Sequence, residues 1–214
     1  MTTSGITVVR GEQELYPWLT HAFAHACTEI SCAVDQLFSW VITRTSSVPA
    51  TSFPPGVRVR KLYRAGLLLD PAFAGYAHTM ADLGAEVRVP EREVNETVLI
   101  DRRIAVLAGA TAYGPRGYSV VTVPEVVQGI ASLFDTAWAT AAPLELWDAD
   151  RSDLRALAPR VLEALAAGAK DETAARTVGL SVRTYRRRVA ELMAALGAET
   201  RFQAGVRARE LGLI

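Results

Sequence analysis

The sequence predicts an α/β domain followed by an all-helical domain, and three observations carry this prediction. Before about position 150, segments with the period of a strand alternate with segments of helical periodicity. After it, every pattern is helical and ends at a glycine, the usual stop signal of a helix. The charge divides there too, because residues 151–214 hold 12 Lys and Arg against 7 Asp and Glu, which leaves 11 against 16 for residues 1–150. We therefore expect domains at 1–142 and 153–214, joined by a linker at 143–152.

The elements of the α/β domain can be justified in order from local signals. Asp70 as N-cap, Pro71 in the first turn and a terminal Gly84 delimit one helix, and the flanking strands complete a βαβ unit. Two apolar runs that meet at Asp101 predict a hairpin. The predicted elements are a helix at 11–29, a strand at 30–34, a helix at 35–42, a loop at 43–56, strands at 57–63 and 85–89 around the helix at 70–84, the apolar runs at 96–109, a strand at 118–123 and a helix at 124–141. Four helices follow at 153–168, 171–179, 181–197 and 200–212.

Composition excludes several classes of protein. Lys and Arg balance Asp and Glu at 23 each, so the whole chain is not a uniformly basic polyanion binder. There is no N-terminal signal pattern and no apolar run long enough to span a bilayer, so we expect a cytoplasmic protein with no membrane partner. Cys27 and Cys32 fit no zinc spacing, and we expect two buried free thiols. No cofactor is expected.

The stretch SVRTYRRRV at 181–189 places four arginines within nine residues. On a helix that begins at Ser181, one buried stripe forms from residues spaced three and four apart, namely Val182, Tyr185, Val189, Leu192 and Leu196. Arg183, Arg187 and Ala190 then point away from the stripe, and Thr184, Arg186 and Arg188 lie at its shoulders. The outer face of this helix is therefore cationic.

The residues ahead of this helix predict a helix-turn-helix. Gly179 can adopt a left-handed turn, Ser181 can cap the second helix, and the small Ala174 and Ala175 allow close helix packing. In such a motif the second helix enters the major groove, where arginine reads guanine or holds a phosphate. Double-stranded DNA is the partner that this arrangement predicts.

The segment VLEALAAGAKDETAARTVGLSVRTYRRRVAELMAALGAETRFQAG, at 161–205, resembles the C-terminal DNA-binding domain of LuxR-type transcription regulators. The resemblance implies a four-helix fold. It also implies base-facing positions at Arg186, Arg187 and Ala190, and phosphate-facing positions at Lys170, Ser181, Thr184 and Arg188. The family's acidic pattern ahead of Val161 is replaced by RALAPR, so an internal salt bridge common in the family is expected to be missing.

The final predicted helix, with apolar Phe202, Val206 and Leu211, resembles the dimerisation element of the same family. It could equally close the helical bundle of its own chain. A homodimer would present two recognition helices to a two-fold target with half-sites about one DNA turn apart.

The segment from Gly56 to Gly109 resembles the phospholipase D-like domain of TrmB-type sensors, a mixed sheet with flanking helices. Active phospholipase D members carry a His-x-Lys-x-x-x-x-Asp motif. Anchoring that motif on Asp101 places Val94 at the histidine and Glu96 at the lysine. Valine has no nucleophilic atom, and a carboxylate repels phosphate. The resemblance therefore implies a non-catalytic domain that senses a ligand or joins subunits.

Other patterns are weaker. His21 and His25 have a spacing that could hold a metal but lack a third ligand nearby, so we expect no metal site. Trp18, Trp40, Tyr63 and Tyr76 could line a pocket for a small-molecule effector or could simply be core. The acids and the lysine of a phosphate-accepting receiver domain are absent from the sequence.

The sequence as a whole predicts a dimeric, non-enzymatic regulator that binds specific DNA. Two alternatives stay open at this point. One is a phosphodiesterase with an atypical site, and the other is a protein-interaction module with a basic helical tail.

Overall fold

A computed structural model of the chain describes residues 5–34, 53, 55–109, 116–149 and 151–214. The predicted helix at 35–42 lies outside the described residues. Within them the chain forms an eight-stranded sheet and eight α-helices. The strands are β1 (Ile6–Arg10), β2 (Glu29–Val34), β3 (Arg58–Tyr63), β4 (Glu86–Val89), β5 (Thr97–Ile100), β6 (Ile104–Ala108), β7 (Gly117–Val121) and β8 (Ala142–Pro143). The helices are α1 (Gly11–Ala24), α2 (Pro71–Asp82), α3 (Pro124–Thr140), α4 (Leu144–Ala149), α5 (Ser152–Ala166), α6 (Asp171–Val178), α7 (Val182–Ala195) and α8 (Arg201–Glu210), and a 3₁₀ helix spans Ala65–Leu69.

The sheet is mixed, with the strand order β1-β7-β6-β5-β2-β3-β4-β8. Strands β2, β3 and β4 are parallel, and the remaining neighbours pair antiparallel. The predicted βαβ unit is β3-α2-β4, and α2 begins as expected, because the Asp70 side chain accepts a hydrogen bond from the backbone N–H of Phe73 at 2.7 Å. The predicted hairpin is β5-β6. Its turn holds Asp101 and Arg102 at φ values of 50° and 53°, as a tight hairpin turn requires.

Helix α3 covers one face of the sheet. Its buried Val127, Ala131 and Phe134 form a core with Ala33 and Leu62 of the central strands. A buried guanidinium also ties α3 to the sheet, since Arg60 Nη1 donates to Asp135 at 2.8 Å and Nη2 donates to Glu29 at 2.7 Å. This side of the molecule is a layer of helix on sheet.

The other face of the sheet carries α1, α2 and the 3₁₀ helix, and the C-terminal helices α5 to α8 lie beyond them, with α5 and α7 in contact with the 3₁₀ helix. Their apolar residues form one continuous core with the inner residues of the strands. Gly66 of the 3₁₀ helix marks the closest approach, because a Cβ atom there would lie 2.7 Å from Cδ1 of Leu211 and 3.3 Å from Cδ2 of Leu196. Arg155 of α5 reaches the same 3₁₀ helix, where its Nε donates to the carbonyl of Leu68 at 2.6 Å. The helical part therefore packs directly on the α/β part.

Several elements differ from the sequence prediction. Strand β1 and the 3₁₀ helix at Ala65–Leu69 were not predicted, and α1 ends at Ala24 rather than at Glu29, which begins β2. The segment predicted as a linker contains β8 and α4, because buried Leu144 and Trp147 belong to the main core. Cys32 is buried as expected, but the expectation of a buried Cys27 is wrong, since this thiol is exposed. Among the described residues no helix has both the length and the apolar character needed to cross a membrane.

Candidate nucleic-acid interface

Helices α6 and α7 are joined by the tight turn that the sequence predicts. Gly179 ends α6 with a φ of 80°, a left-handed conformation in which glycine is favoured. Two residues later Ser181 caps α7, because its side-chain oxygen accepts a hydrogen bond from the backbone N–H of Thr184 at 3.1 Å. The Ser181 and Thr184 hydroxyl oxygens lie 2.9 Å apart. The start of α7 therefore presents two hydroxyls beside the positive end of the helix dipole.

The inner face of α7 is buried as its spacing predicts. Tyr185 and Leu192 are fully buried, and the half-buried Val182 extends the stripe towards the turn. Ala174 and Ala175 of α6 are both 1% exposed, so their small side chains lie at the contact between the two helices. This packing fixes the rotation of α7 and therefore decides which residues face outwards.

The outward side of α7 carries the predicted cationic residues. Six of the predicted residues, in α7 and ahead of α6, are exposed, whereas Thr184 and Arg188 are half-buried. The exposed residues are Lys170, Ser181, Arg183, Arg186, Arg187 and Ala190. The structure thus leaves the outer face of α7 open to solvent, and the α/β part does not cover it.

Asp171, at the start of α6, organises one end of this face. Its two carboxylate oxygens accept hydrogen bonds from Arg201 Nη1 at 2.6 Å and from Arg186 Nε at 2.7 Å. The hydrogen bond from Arg201 and then that from Arg186 lower the pKa of the Asp171 carboxyl to about 2. The carboxylate joins α6, α7 and α8 and holds Arg186 against the protein. Sequence analysis did not single out Asp171 or Arg201, since nothing local indicates that residues 30 positions apart pair.

Glu191 organises the other end of the face. Arg188 Nη1 donates to it at 2.9 Å, and Arg187 Nε lies 3.6 Å from its other oxygen. Arg188 Nη2 is also 3.6 Å from the Asp153 carboxylate, and its buried Nε has no hydrogen-bond partner among the described residues. Arg183 makes no ion pair with any residue that the structure describes. Among the described residues, Arg183 therefore has no ionic partner, Arg186 and Arg187 have one each, and Arg188 has two.

The three positions that correspond to the phospholipase D motif have structural roles. Asp101 accepts hydrogen bonds from the backbone N–H groups of Cys27, Thr28 and Glu29, at 2.8 to 2.9 Å, and from the Thr28 hydroxyl. Burial raises the pKa of this carboxyl, but the donors at Glu29, Cys27 and Thr28 outweigh burial and lower the pKa to about 2. Asp101 therefore clamps the start of β2.

The other two motif positions cannot supply catalysis of the phospholipase D kind. Glu96 is buried and its carboxylate lies 2.6 Å from Nη1 of Arg116. Val94 is half-buried and apolar. Valine has no nucleophilic atom, and a carboxylate cannot supply the positive charge with which lysine stabilises a phosphoryl oxygen.

The histidines and aromatic residues considered for a metal site and for a ligand pocket do not form such sites among the described residues. The exposed His21 and His25 rings lie 4.3 Å apart, and no group of three potential metal ligands occurs among the described residues. Trp18 is 42% exposed on α1, whereas Tyr63 packs in the core with Tyr76 at a ring distance of 6.3 Å. Trp40 lies outside the described residues. The interpretation of these aromatic residues as one pocket gains no support from this arrangement.

Comparison with solved structures identifies the fold of the α/β part. The chain superimposes on Nuc, a phospholipase D family member from Salmonella typhimurium, with a TM-score of 0.51 and 13% identity, over 65% of this chain and 98% of that chain. The mixed sheet with flanking helices is thus a phospholipase D-like fold. The archaeal chromatin protein TrmBL2, whose structure is described as showing a novel mode of DNA binding, superimposes with a TM-score of 0.49 and 18% identity, over 64% of this chain and 54% of that chain.

Comparison with characterised proteins identifies one regulator. The chain is 31% identical over 164 residues to the "Bialaphos biosynthetic pathway regulatory protein" of Streptomyces hygroscopicus. The alignment covers 76% of this chain and 64% of the relative, so the chain spans somewhat less than two thirds of that protein's length. No family model matches the chain.

Proposed function

We propose that this protein is a sequence-specific, DNA-binding transcriptional regulator. The observation that carries the proposal is the α6-turn-α7 motif, in which a capped second helix presents Arg183, Arg186 and Arg187 to solvent on one side. A helix of this kind fits the major groove, and its arginines match guanine edges and phosphates. The resemblance of residues 161–205 to LuxR-type DNA-binding domains and the likeness to a regulatory protein support the same function.

Within this proposal the chain divides into three parts. Residues 1–142 form a non-catalytic phospholipase D-like domain that senses a ligand or joins subunits, residues 143–152 connect it, and residues 153–214 form a LuxR-type helix-turn-helix domain. The phosphate-facing residues are Lys170, Ser181, Thr184 and Arg188. The base-facing positions are Arg186, Arg187 and Ala190, with Arg183 beside them on the outer face.

The homodimer remains part of the proposal, with a revised interface. Phe202 is 82% exposed and Val206 is 42% exposed on α8, so both are available to a second chain. Leu211 is not, because it is 1% exposed and packs against the 3₁₀ helix of its own chain. Leu211 is therefore part of the packing that closes the bundle of its own chain, and the proposed dimer surface consists of Phe202 and Val206.

The test is a selection of random double-stranded DNA by the full-length protein at near-physiological salt. We expect enrichment of a defined motif, two-fold if the protein is dimeric, and loss of that enrichment in the double variant Arg186→Ala/Arg187→Ala. Arg209→Ala is the matched control, because this exposed arginine lies on α8 outside the motif. Equal enrichment by wild type and double variant, or no enrichment by either, would overturn the proposal.

Catalysis by the α/β part is tested separately with bis(4-nitrophenyl) phosphate, a generic phosphodiester. We expect no hydrolysis above a heat-denatured sample, since Glu96 and Val94 replace the reactive residues. Hydrolysis by the wild type that is lost in a folded Asp101→Asn variant would show that the phospholipase D-like domain is an enzyme.

A further inference from the structure

A cleft lies between the α/β part and the helix that carries the arginines. It has a volume of about 610 Å³. Its walls come from the end of β4 and the residues after it, from α4 and the start of α5, and from the last turns of α7. A volume of this size suits a small organic molecule.

Much of the cleft wall is apolar. The apolar lining includes Val89 and Pro90, at the end of β4 and after it, and Ala194 and Ala195 in the last turn of α7. Leu146 lines the cleft and is 69% exposed. A large exposed aliphatic side chain in a concave site indicates a place where an apolar ligand would be buried.

The charges of the cleft favour a cation. The acidic residues in its lining are Glu91 and Glu191, and the basic residue among the described lining residues is Arg151. The Arg151 guanidinium already lies 4.9 Å above the Trp147 ring and donates to the Trp147 carbonyl at 2.9 Å. Glu91 is exposed and makes no ion pair with any described residue. An ammonium group would complement these two carboxylates.

One of these carboxylates is shared with the proposed DNA-binding face. Glu191 is the partner of both Arg187 and Arg188, in pairs spaced four and three residues apart along α7. The Arg188 side chain is only 14% exposed and keeps its 2.9 Å bond to one Glu191 oxygen, whereas the Arg187 side chain is 65% exposed and lies 3.6 Å from the other oxygen. Exposed ion pairs within a helix are weak, so a ligand cation can compete with Arg187 for that oxygen at little cost. The competition would release Arg187 towards a base edge or a phosphate.

We propose that this cleft binds a small organic amine with an apolar body, and that the bound amine raises affinity for DNA by taking Glu191 from Arg187. The apolar body lies against Leu146 and Pro90, and the ammonium group lies between Glu91 and Glu191. The binding part of this inference stands by itself. The regulatory part rests on the proposed DNA-binding function.

Binding is tested by isothermal titration calorimetry of the full-length protein without DNA, using three probes of nearly equal shape. These probes are 2-phenylethylamine, 2-phenylethanol and phenylacetate. We expect saturable 1:1 binding of the amine, at least tenfold weaker binding of the alcohol and no binding of phenylacetate. Absence of amine binding, or equal binding of the alcohol or the carboxylate, would overturn the assignment.

Variants locate the site. Glu91→Gln should weaken amine binding about fivefold or more, because it removes one of the two carboxylates but little volume. Glu145→Gln is the matched control, since Glu145 is exposed on neighbouring α4 but does not line the cleft, and it should bind the amine like wild type. Ala194→Phe should abolish binding by filling the cleft. Amine binding that survives both Glu91→Gln and Ala194→Phe would place the amine elsewhere and overturn the proposal.

The regulatory part is tested with the DNA motif obtained by selection. At constant ionic strength, saturating 2-phenylethylamine should tighten binding of the wild-type protein to this DNA about fivefold or more. The affinity of the Ala194→Phe variant for the same DNA should not change on addition of the amine. Unchanged wild-type affinity would overturn the coupling. If the protein selects no DNA, the proposed function fails while the calorimetric result on the cleft still stands or falls by itself.

Discussion

At the scale of single residues, the carboxylates of Asp171 and Glu191 decide how readily the paired arginines of α7 can reach DNA. Asp171 holds Arg186 through a 2.7 Å hydrogen bond and is itself held by Arg201. Glu191 lies 3.6 Å from Arg187, a longer and more exposed contact. Arg187 can therefore leave its partner more easily than Arg186 can, and we expect it to be the main base reader.

Replacing Arg187 should change specificity. We expect Arg187→Ala to cost about 1–3 kcal/mol at one base pair of the selected motif, because a bidentate contact to one base is lost. Arg188→Ala should weaken binding to all sequences about equally, since its proposed contact is to phosphate. The measurement is the affinity of both variants for a set of single-base changes in the motif. A uniform loss for Arg187→Ala would contradict base reading by this residue.

Replacing Asp101 should change stability in a pH-dependent way. Its pKa is about 2 in the folded protein, below its ordinary value of 3.8, so the ionised carboxylate contributes stability above about pH 4 that is lost as the pH falls towards 2. Asp101→Asn should lower the free energy of unfolding at neutral pH by about 1–3 kcal/mol, since backbone donors lose a charged acceptor.

This difference between Asp101→Asn and wild type should shrink between about pH 4 and about pH 2. Urea titrations at several pH values measure it. Asp82→Asn is the control, because Asp82 is exposed on α2, and it should stay close to wild type throughout. If the free energy of unfolding of Asp101→Asn differed from that of wild type by the same amount at every pH, the role of the ionised carboxylate would be contradicted.

At the scale of elements, the turn between α6 and α7 sets the angle at which α7 is presented. Its geometry depends on Gly179, whose φ of 80° strains any residue with a Cβ atom. Gly179→Ala should cost about 1–2 kcal/mol in the free energy of unfolding. Gly129→Ala on the exposed side of α3, where an added Cβ meets nothing within 4 Å, should instead stabilise by about 0.5–1 kcal/mol.

Urea unfolding of both glycine variants tests this argument. The informative comparison is the sign of the change, because both substitutions add the same methyl group. Stabilisation by Gly179→Ala would show that α6 can end without the left-handed turn.

At the scale of the whole molecule, the helical part and the α/β part share one core. Leu211 and Leu196 pack on Gly66, and Arg155 bonds to the Leu68 carbonyl of the same 3₁₀ helix. Salt bridges extend this contact, because Glu93 lies between Arg64 of the α/β part and Arg207 of α8. A second cluster of hydrogen bonds joins His78 of α2 and Arg155 of α5 through the Asp148 carboxylate. We therefore expect both parts to unfold together.

Leu211→Ala tests this expectation, since it should cost about 2–5 kcal/mol by leaving a cavity at the contact. All four tryptophans precede residue 151, so their fluorescence reports the α/β part and α4, whereas far-ultraviolet circular dichroism reports both parts. The two transitions should coincide in wild type and shift together in Leu211→Ala. A shift in circular dichroism alone would show that the helical part unfolds independently.

Much of this protein could be predicted from its sequence, because the signals involved are local. The Asp70 and Ser181 caps, the glycine at 179, the β5-β6 hairpin and the buried stripe of α7 each depend on residues within one or two turns. Hydrogen bonding to a helix end and the spacing of apolar residues act over such short distances. The sequence by itself therefore determined the helix-turn-helix and the outward direction of its arginines.

The tertiary structure decided whatever depends on pairs of distant residues. The sequence left Leu211 open between a dimer surface and the bundle of its own chain, and its packing on Gly66 decided for the bundle. Asp101 looked like a catalytic relic before its bonds to the start of β2 were known. The cleft has walls from both parts of the chain, and its lining brings Glu191 of α7 and Glu91 after β4 into one site. Burial and ionic pairing are set by the positions of packed elements, and no local pattern reports those positions.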